Sequence, residues 1–316
     1  MSAVTGTLHS ALEPAGWDAA IISQFAWVMF GAGALIFLAV MALLYLSLRR
    51  QGGRQSRPAR ALLWIGGGGI AFPVVVLTAL LGWSTWRSAQ LAPQTSRDAL
   101  TISVTAKMWW WEVRYHDPAS GREIVTANEI HIPVGRKVYL GLNSADVIHS
   151  LWVPSLAGKR DMVPGRVTGL TLRADKPGIY RGKCAEYCGA QHAKMALHVV
   201  ALAPQDFEAW LARQAQPALP ADNAILERGR AAFLEQRCQA CHTIRGVAEG
   251  SRLGPDLTHV GSRMHIGAGT LRNHRDTLKG WIADPQAAKP GAFMPGSQDL
   301  DRDTLRALAT YLEHLK

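Results

Sequence analysis

Apolar positions along the chain fall into three patterns, and each predicts a different kind of structure. The first is unbroken. Between Asp18 and Arg49, and again between Arg60 and Arg87, no charged residue interrupts the run. Each run exceeds the roughly 20 residues that carry a helix across ~30 Å of hydrocarbon. Helices are therefore expected over about 24–48 and 61–86, with Trp83 and Trp86 placed like an aromatic belt at the outer end of the second. The run Gly66-Gly67-Gly68-Gly69 is unusual for a helix, since each Gly costs about 1 kcal/mol against Ala. Small residues also let a neighbouring membrane helix approach closely, and Pro73 is a candidate kink.

The second pattern, from about 99 to 203, is short alternation broken by turn residues. Thr101–Thr105, Trp111–Tyr115, Lys137–Leu142, Val167–Arg173 and Leu197–Leu202 read as strands. Asp117-Pro118, Pro133, Gly135, Pro154, Pro164-Gly165 and Pro177-Gly178 punctuate them. Strands of this length and spacing predict an all-β sandwich or barrel. The third pattern has helical period. After a short helix at 206–215 and the Pro-rich linker Gln216–Asp222, helices are expected at 224–236, 275–283 and 302–315. The last carries Leu305, Leu308, Leu312 and Leu315 on one side. The chain thus divides into a membrane hairpin within 1–98, a β domain over 99–205, a short helix and linker over 206–222, and an all-α domain over 223–316.

Charge fixes a topology more than a partner. Arg49, Arg50, Arg54, Arg57 and Arg60 lie between the two apolar runs with no acid among them. By the positive-inside rule this short loop faces the cytoplasm, so the N-terminus and everything after Arg87 lie outside. Those five residues supply half of the net charge of +10, and a nucleic-acid partner is not expected. Residues 1–23 carry no Lys or Arg, so the first helix reads as retained and not as a cleaved leader.

The candidate chemistry lies in the exported part. Cys184-Ala-Glu-Tyr-Cys-Gly-Ala-Gln-His-Ala-Lys-Met195 offers two thiolates (Cys184, Cys188), an imidazole (His192), a thioether (Met195) and a carboxylate (Glu186). This soft mixture suits copper. Zinc could take the two Cys and the His, and a disulfide is also open on spacing alone. The loop falls between two strands, at one end of the expected sandwich. Farther on, Cys238-Gln-Ala-Cys241-His242 has the C-x-x-C-H spacing of covalent c-type haem attachment, with His242 as an axial ligand. Met raises the potential of a His-ligated haem. Met294, in the Pro-bounded loop Lys289–Gly296, is the expected partner and Met264 the alternative.

Residues 223–316, with this motif and Gly254-Pro255-Asp256-Leu257, resemble class I cytochrome c. Residues 20–205 resemble subunit II of cytochrome c oxidase, with the Cys-x-Glu-x-Cys-x3-His-x2-Met run and the segment Asp146-Val-Ile-His149. The resemblance implies a cupredoxin-like fold holding a binuclear CuA centre. Cys184 and Cys188 would bridge the coppers, His149 and His192 would each cap one, and Met195 and the Glu186 carbonyl would be weak ligands. The Glu186 side chain would bind magnesium at the contact with catalytic subunit I. In Ala106–Glu112 it implies that Trp109 receives the electron; with three adjacent Trp, one of Trp109 and Trp110 is expected to be exposed.

The whole would be a fused oxidase subunit of the caa3 type in a bacterial inner membrane, with the copper and haem domains periplasmic. Electrons would pass from a soluble or membrane cytochrome c, or an upstream complex, to one covalent haem, then to CuA, then to the subunit that reduces oxygen. The family's second helix usually begins with a Glu three residues before a Trp. Here that place is Ala61, and no acid occurs between residues 19 and 97. A metal-free quinol oxidase subunit, a nitrous oxide reductase domain and a copper-delivery protein fit less well, given the full ligand set, the hairpin and the haem motif respectively. The remaining histidines, His9, His116, His131, His198, His259, His265, His274 and His314, read as surface or core residues.

Overall fold

The computed structural model describes residues 7–8, 10–49, 58–91, 100–116, 121 and 123–316. The expected loop residues Arg50, Arg54 and Arg57, His9 and the Asp117-Pro118 turn lie outside these. Two compact units are present: Ala20–Ala92, and Met1–Ala19 together with Pro93–Lys316.

In the first unit, α1 (Trp17–Arg49) starts seven residues earlier than hydropathy indicated. Asp18 in its first turn suits the positive end of the helix dipole. The second span is not uniform. It runs as α2 (Pro58–Leu63), a π-helical stretch over Trp64–Ala71, and α3 (Phe72–Ser88). The four glycines sit inside the π stretch, where the Phe72 amide reaches back five residues to the Gly67 carbonyl. The helix does not break before Pro73, since Ala71 keeps φ −64° and ψ −43°, so the proline's missing N–H and ring act on the same turn as the glycines. Phe25 meets Trp83 edge to face at 4.6 Å, and Arg87 bonds Gln24. Helices Trp17–Arg49 and Ala61–Leu91 have mean hydropathy 2.4 and 2.0 and bury none of their most apolar windows, as a lipid-facing span would.

The second unit holds a two-sheet β domain. One sheet has the order β4 (Glu123–Ala127), β3 (Trp110–His116), β2 (Leu100–Lys107), β6 (Val138–Ser144), β9 (Thr168–Leu172). The other runs β5 (Glu129–Pro133), β11 (Ala196–Leu202), β10 (Gly178–Cys184), β7 (His149–Trp152), β8 (Arg160–Met162), with the short β1 (Thr7–Leu8) paired to β10. Ile102, Val104, Trp111, Val113, Ile130, Leu140 and Leu151 interlock between the sheets, fully buried. α4 (Pro204–Gln214) closes one end with Phe207 and Trp210, and Trp210 stacks on His131 at 4.0 Å.

The helical domain follows the linker: α5 (Ala224–Glu235), the hairpin β12 (His265–Ile266) and β13 (Leu271–Arg272), α6 (Arg275–Ala283), α7 (Pro285–Ala288) and α8 (Arg302–His314). α5 crosses α8 at Gly229. A Cβ there would stand 2.3 Å from the Ala307 carbonyl oxygen, so only glycine allows this approach.

The β and helical domains are joined by specific contacts. Ala196 N–H donates to the Ala268 carbonyl at 3.0 Å, and Met264 N–H donates to the Glu129 carboxylate at 2.7 Å. His198 of β11 stacks on His265 of β12 at 4.5 Å. Burial, then the charges of His265 and Arg181, push the His198 imidazole down to about 4. His265 is lowered by burial and by Arg181 and Arg272. An imidazole with a depressed folded value contributes its full stability above its free value of ~6.5 and loses it as pH falls through the folded one. Amide-exchange protection of His265–Arg272, corrected for intrinsic rates, should therefore decline from about pH 6.5 toward 4 in the full chain. His198→Phe should flatten that dependence; an equal decline in the variant would show that the pair is not responsible.

Candidate metal centre and haem pocket

Three neighbouring strands of one sheet bring the copper-type ligands together. His149 opens β7, Cys184 ends β10, and Met195 directly precedes β11. The loop between them is pinned at its base, where Cys184 N–H donates to the Met195 carbonyl at 2.9 Å and Ala185 N–H to Ser150 at 2.9 Å. Cys184 Sγ lies 3.8 Å from Cys188 Sγ, 3.8 Å from His149 Nδ1 and 3.2 Å from the Glu186 carbonyl oxygen. Cys188 Sγ lies 3.7 Å from His192 Nδ1 and 3.9 Å from Met195 Sδ. The sulfurs are too far apart for a disulfide, whose S–S length is about 2.05 Å. Thus each thiol has its own imidazole, and one weak donor stands beside each.

The protonation balance favours a cation. Burial opposes ionisation of Cys184, but His149 and nearby backbone amides overcome it and bring the thiol to about 6. Burial, then the Cys184 charge, push Cys188 up to about 12. The pair alone sheds one proton and holds the other; metal binding would release both. Asp146, three residues before His149, accepts from its Nε2 at 2.7 Å and so directs Nδ1 toward the sulfurs. Asp146 also accepts from the Met108 amide at 2.7 Å. The donor chemistry and the convergence of six atoms fit two soft metal ions, and a single tetrahedral zinc would leave donors unused.

A cavity of about 550 Å³ lies against Cys238, Cys241, His242 and Met294, and Met264 does not line it. His242 Nδ1–H donates to the Pro255 carbonyl at 2.8 Å, leaving Nε2 for the cavity. Gly254 makes room for this imidazole: a Cβ there would fall 2.5 Å from His242 Cε1. Leu257, Ile266, Leu278, Trp281 and Ile282 supply apolar walls, so the residues present fit a haem. Met108, Trp109, Trp110 and Asn128 of the β domain complete the lining.

Family models match both halves: the periplasmic domain of cytochrome c oxidase subunit II over residues 112–202, and cytochrome c over 226–316. A cytochrome c oxidase subunit 2 from Alkalihalophilus pseudofirmus is 32% identical, covering 97% of this chain and 91% of that protein. The chain belongs to the cytochrome c oxidase subunit II family. The Bacillus subtilis subunit 2 is also 32% identical, over 70% of this chain and 64% of its own length. The periplasmic domain of the Bradyrhizobium japonicum subunit is 28% identical, matches 38% of this chain and 96% of that one, and superposes with a TM-score of 0.35. As a member with a fused cytochrome c domain, the chain is a subunit of the oxidase complex, alongside catalytic subunit I. Membership implies a CuA centre in the β domain and a haem in the helical one.

One expectation is corrected. Neither Trp109 nor Trp110 is exposed; both retain 9% of their surface. β3 begins at Trp110, so strand alternation does not govern Trp109. The helical domain covers both: Phe293 lies on Trp109, while Ala268 packs against Trp110. The Glu186 carboxylate is well exposed and pairs with Lys159 at 3.4 Å. Among the remaining described histidines, none joins the buried His149, Cys184 and Cys188 group, whose ligand atoms lie within 4.8 Å of one another. Sequence reasoning placed Asp146 and Gly254 in family motifs but gave no role to them or to Gly189. An acid three residues before a ligating His, and a Gly next to a ligand Cys, were the available signals. Gly189 has φ +106°, and a Cβ on it would come 3.1 Å from Trp109 Cζ2.

Asp146→Asn should weaken copper binding by about 10–100-fold, read by competition with a chelator, because the tautomer of His149 is no longer enforced. Gly254→Val should displace His242, altering the haem absorption spectrum and lowering thermal stability by about 1–3 kcal/mol. An unchanged spectrum would show that the chain at residue 254 yields and leaves His242 in place.

Proposed function

We propose that this chain is the electron-transfer subunit of an aerobic cytochrome c oxidase, relaying electrons from its own c-type haem to CuA and on to the oxygen-reducing subunit. When bound, the haem and the copper pair supply one-electron redox chemistry. The residues hold and shape those sites. Cys184, Cys188, His149 and His192 would hold the copper pair as its strong ligands, with Met195 and the Glu186 carbonyl as weak ones. Cys238 and Cys241 would anchor the haem covalently, and His242 and Met294 would ligate its iron. Trp109 is the residue through which the electron would reach copper.

The carrying observation is the shared wall: Trp109 lines the cavity beside Met294 and donates from Nε1 to the Cys188 carbonyl at 2.7 Å. Tethering also keeps the haem domain at high effective concentration near the copper loop. The exposed Glu186 carboxylate would hold magnesium where catalytic subunit I docks, a hard ligand for a hard ion. The arginines on either side of the first loop, Arg49 and Arg60, support a cytoplasmic loop and periplasmic domains, in the inner membrane of a bacterium. A soluble or membrane-bound cytochrome c, or an upstream complex, would be the donor. The division into 1–98, 99–205, 206–222 and 223–316 is part of this proposal.

Metal and optical analysis of the detergent-solubilised complex tests it. The expected result is two coppers and one covalent haem per chain, with a near-infrared copper band. One zinc without copper would overturn it.

A further inference from the structure

The loop carrying Met294 is knitted to the copper loop, and the stitches are unusual. Phe293, directly before Met294, places its ring 5.1 Å from that of Trp109, tilted by 35°. Trp109 in turn bonds the carbonyl of Cys188. One ring contact and one hydrogen bond thus connect the chain at Met294 to the chain at Cys188. Lys289 begins the same loop and is only 3% exposed. Its ammonium donates to the Trp109 carbonyl at 3.1 Å and the Gly267 carbonyl at 3.2 Å. Burying a lysine against neutral carbonyls is a poor way to gain stability. Burial, then Lys194, lower it to about 8. Two outer bonds complete the seam: Gln191 donates to the Pro290 carbonyl, and Lys194 to the Ala288 carbonyl at 2.6 Å.

We propose that Phe293 is the internal handover residue between haem loop and copper loop, and that Lys289 is the positioning residue that keeps it seated on Trp109. This rests on the reading that Met294 ligates haem and Cys188 ligates CuA. The step is a single-electron transfer in which the haem iron is oxidised and the copper pair reduced. No bond forms or breaks and no proton moves.

The test uses the full chain in the solubilised oxidase, with the haem reduced by a photoreductant flash and both centres followed optically. Phe293→Leu should slow haem-to-copper transfer by about tenfold or more, equivalent to a higher barrier, while Phe293→Tyr retains the wild-type rate. Lys289→Met should also slow transfer. Haem and copper contents and, in the Phe293 variants, midpoint potentials should be unchanged. A wild-type rate in Phe293→Leu, or slowing seen only with loss of the Met–iron absorption band, would overturn the inference. Absence of copper or haem from the wild-type chain would overturn the underlying reading instead.

Discussion

Two buried thiols held 3.8 Å apart are the constraint on which the β domain turns. Both cannot ionise together without a cation between them, and neither can escape to solvent. Everything around them serves that arrangement. β10 and β11 bring the loop ends together, β7 delivers His149 from the adjacent strand, and Asp146 selects which imidazole nitrogen faces the sulfurs. The sandwich core reaches up to Cys184, Cys188 and Met195, so the ligands move only if the core moves. Such pre-organisation suits redox chemistry, where a rigid ligand cage limits rearrangement when charge changes.

The contact between the β and helical domains has the character of an interior. Arg263 and Glu129 are both buried there, one from each side, and Arg263 bonds the Asp256 carbonyl. Glu112, also buried, holds Lys107 at 2.8 Å, and Lys107 reaches on to the Arg252 carbonyl at 2.8 Å. Removing one member of such a network leaves an uncompensated charge, so orientation is specified more sharply than apolar contact alone could manage. A domain joined by a Pro-rich linker could wander; this one is keyed.

Much of this was readable from the chain. Unbroken hydropathy marked the two spans, alternation marked five of the strands, and ligand chemistry marked the Cys184–Met195 loop and the haem motif, while the family resemblance added the segment with His149. Each of these is a local pattern with a local cause. What escaped depended on partners far away in sequence. The burial of Trp109 and Trp110 follows from Phe293 and Ala268, which lie more than 150 residues later. His198 and His265 looked like isolated histidines because their stacking is made only when the domains meet. The early start of α1 was hidden because polar residues there end the hydropathy run without ending the helix.

The glycine-centred π stretch has a consequence for how the second span meets its neighbours. Hydrogen bonds five residues apart widen the turn, so side chains after Ala71 are rotated relative to those before Trp64. A stripe drawn along one side of α2 does not continue on the same side of α3. A helix lying alongside therefore meets two differently turned surfaces, joined by a bare collar at Gly66–Gly69 where no side chain keeps backbones apart. Helical-wheel reasoning across the whole span would assign the wrong residues to lipid on one half of it.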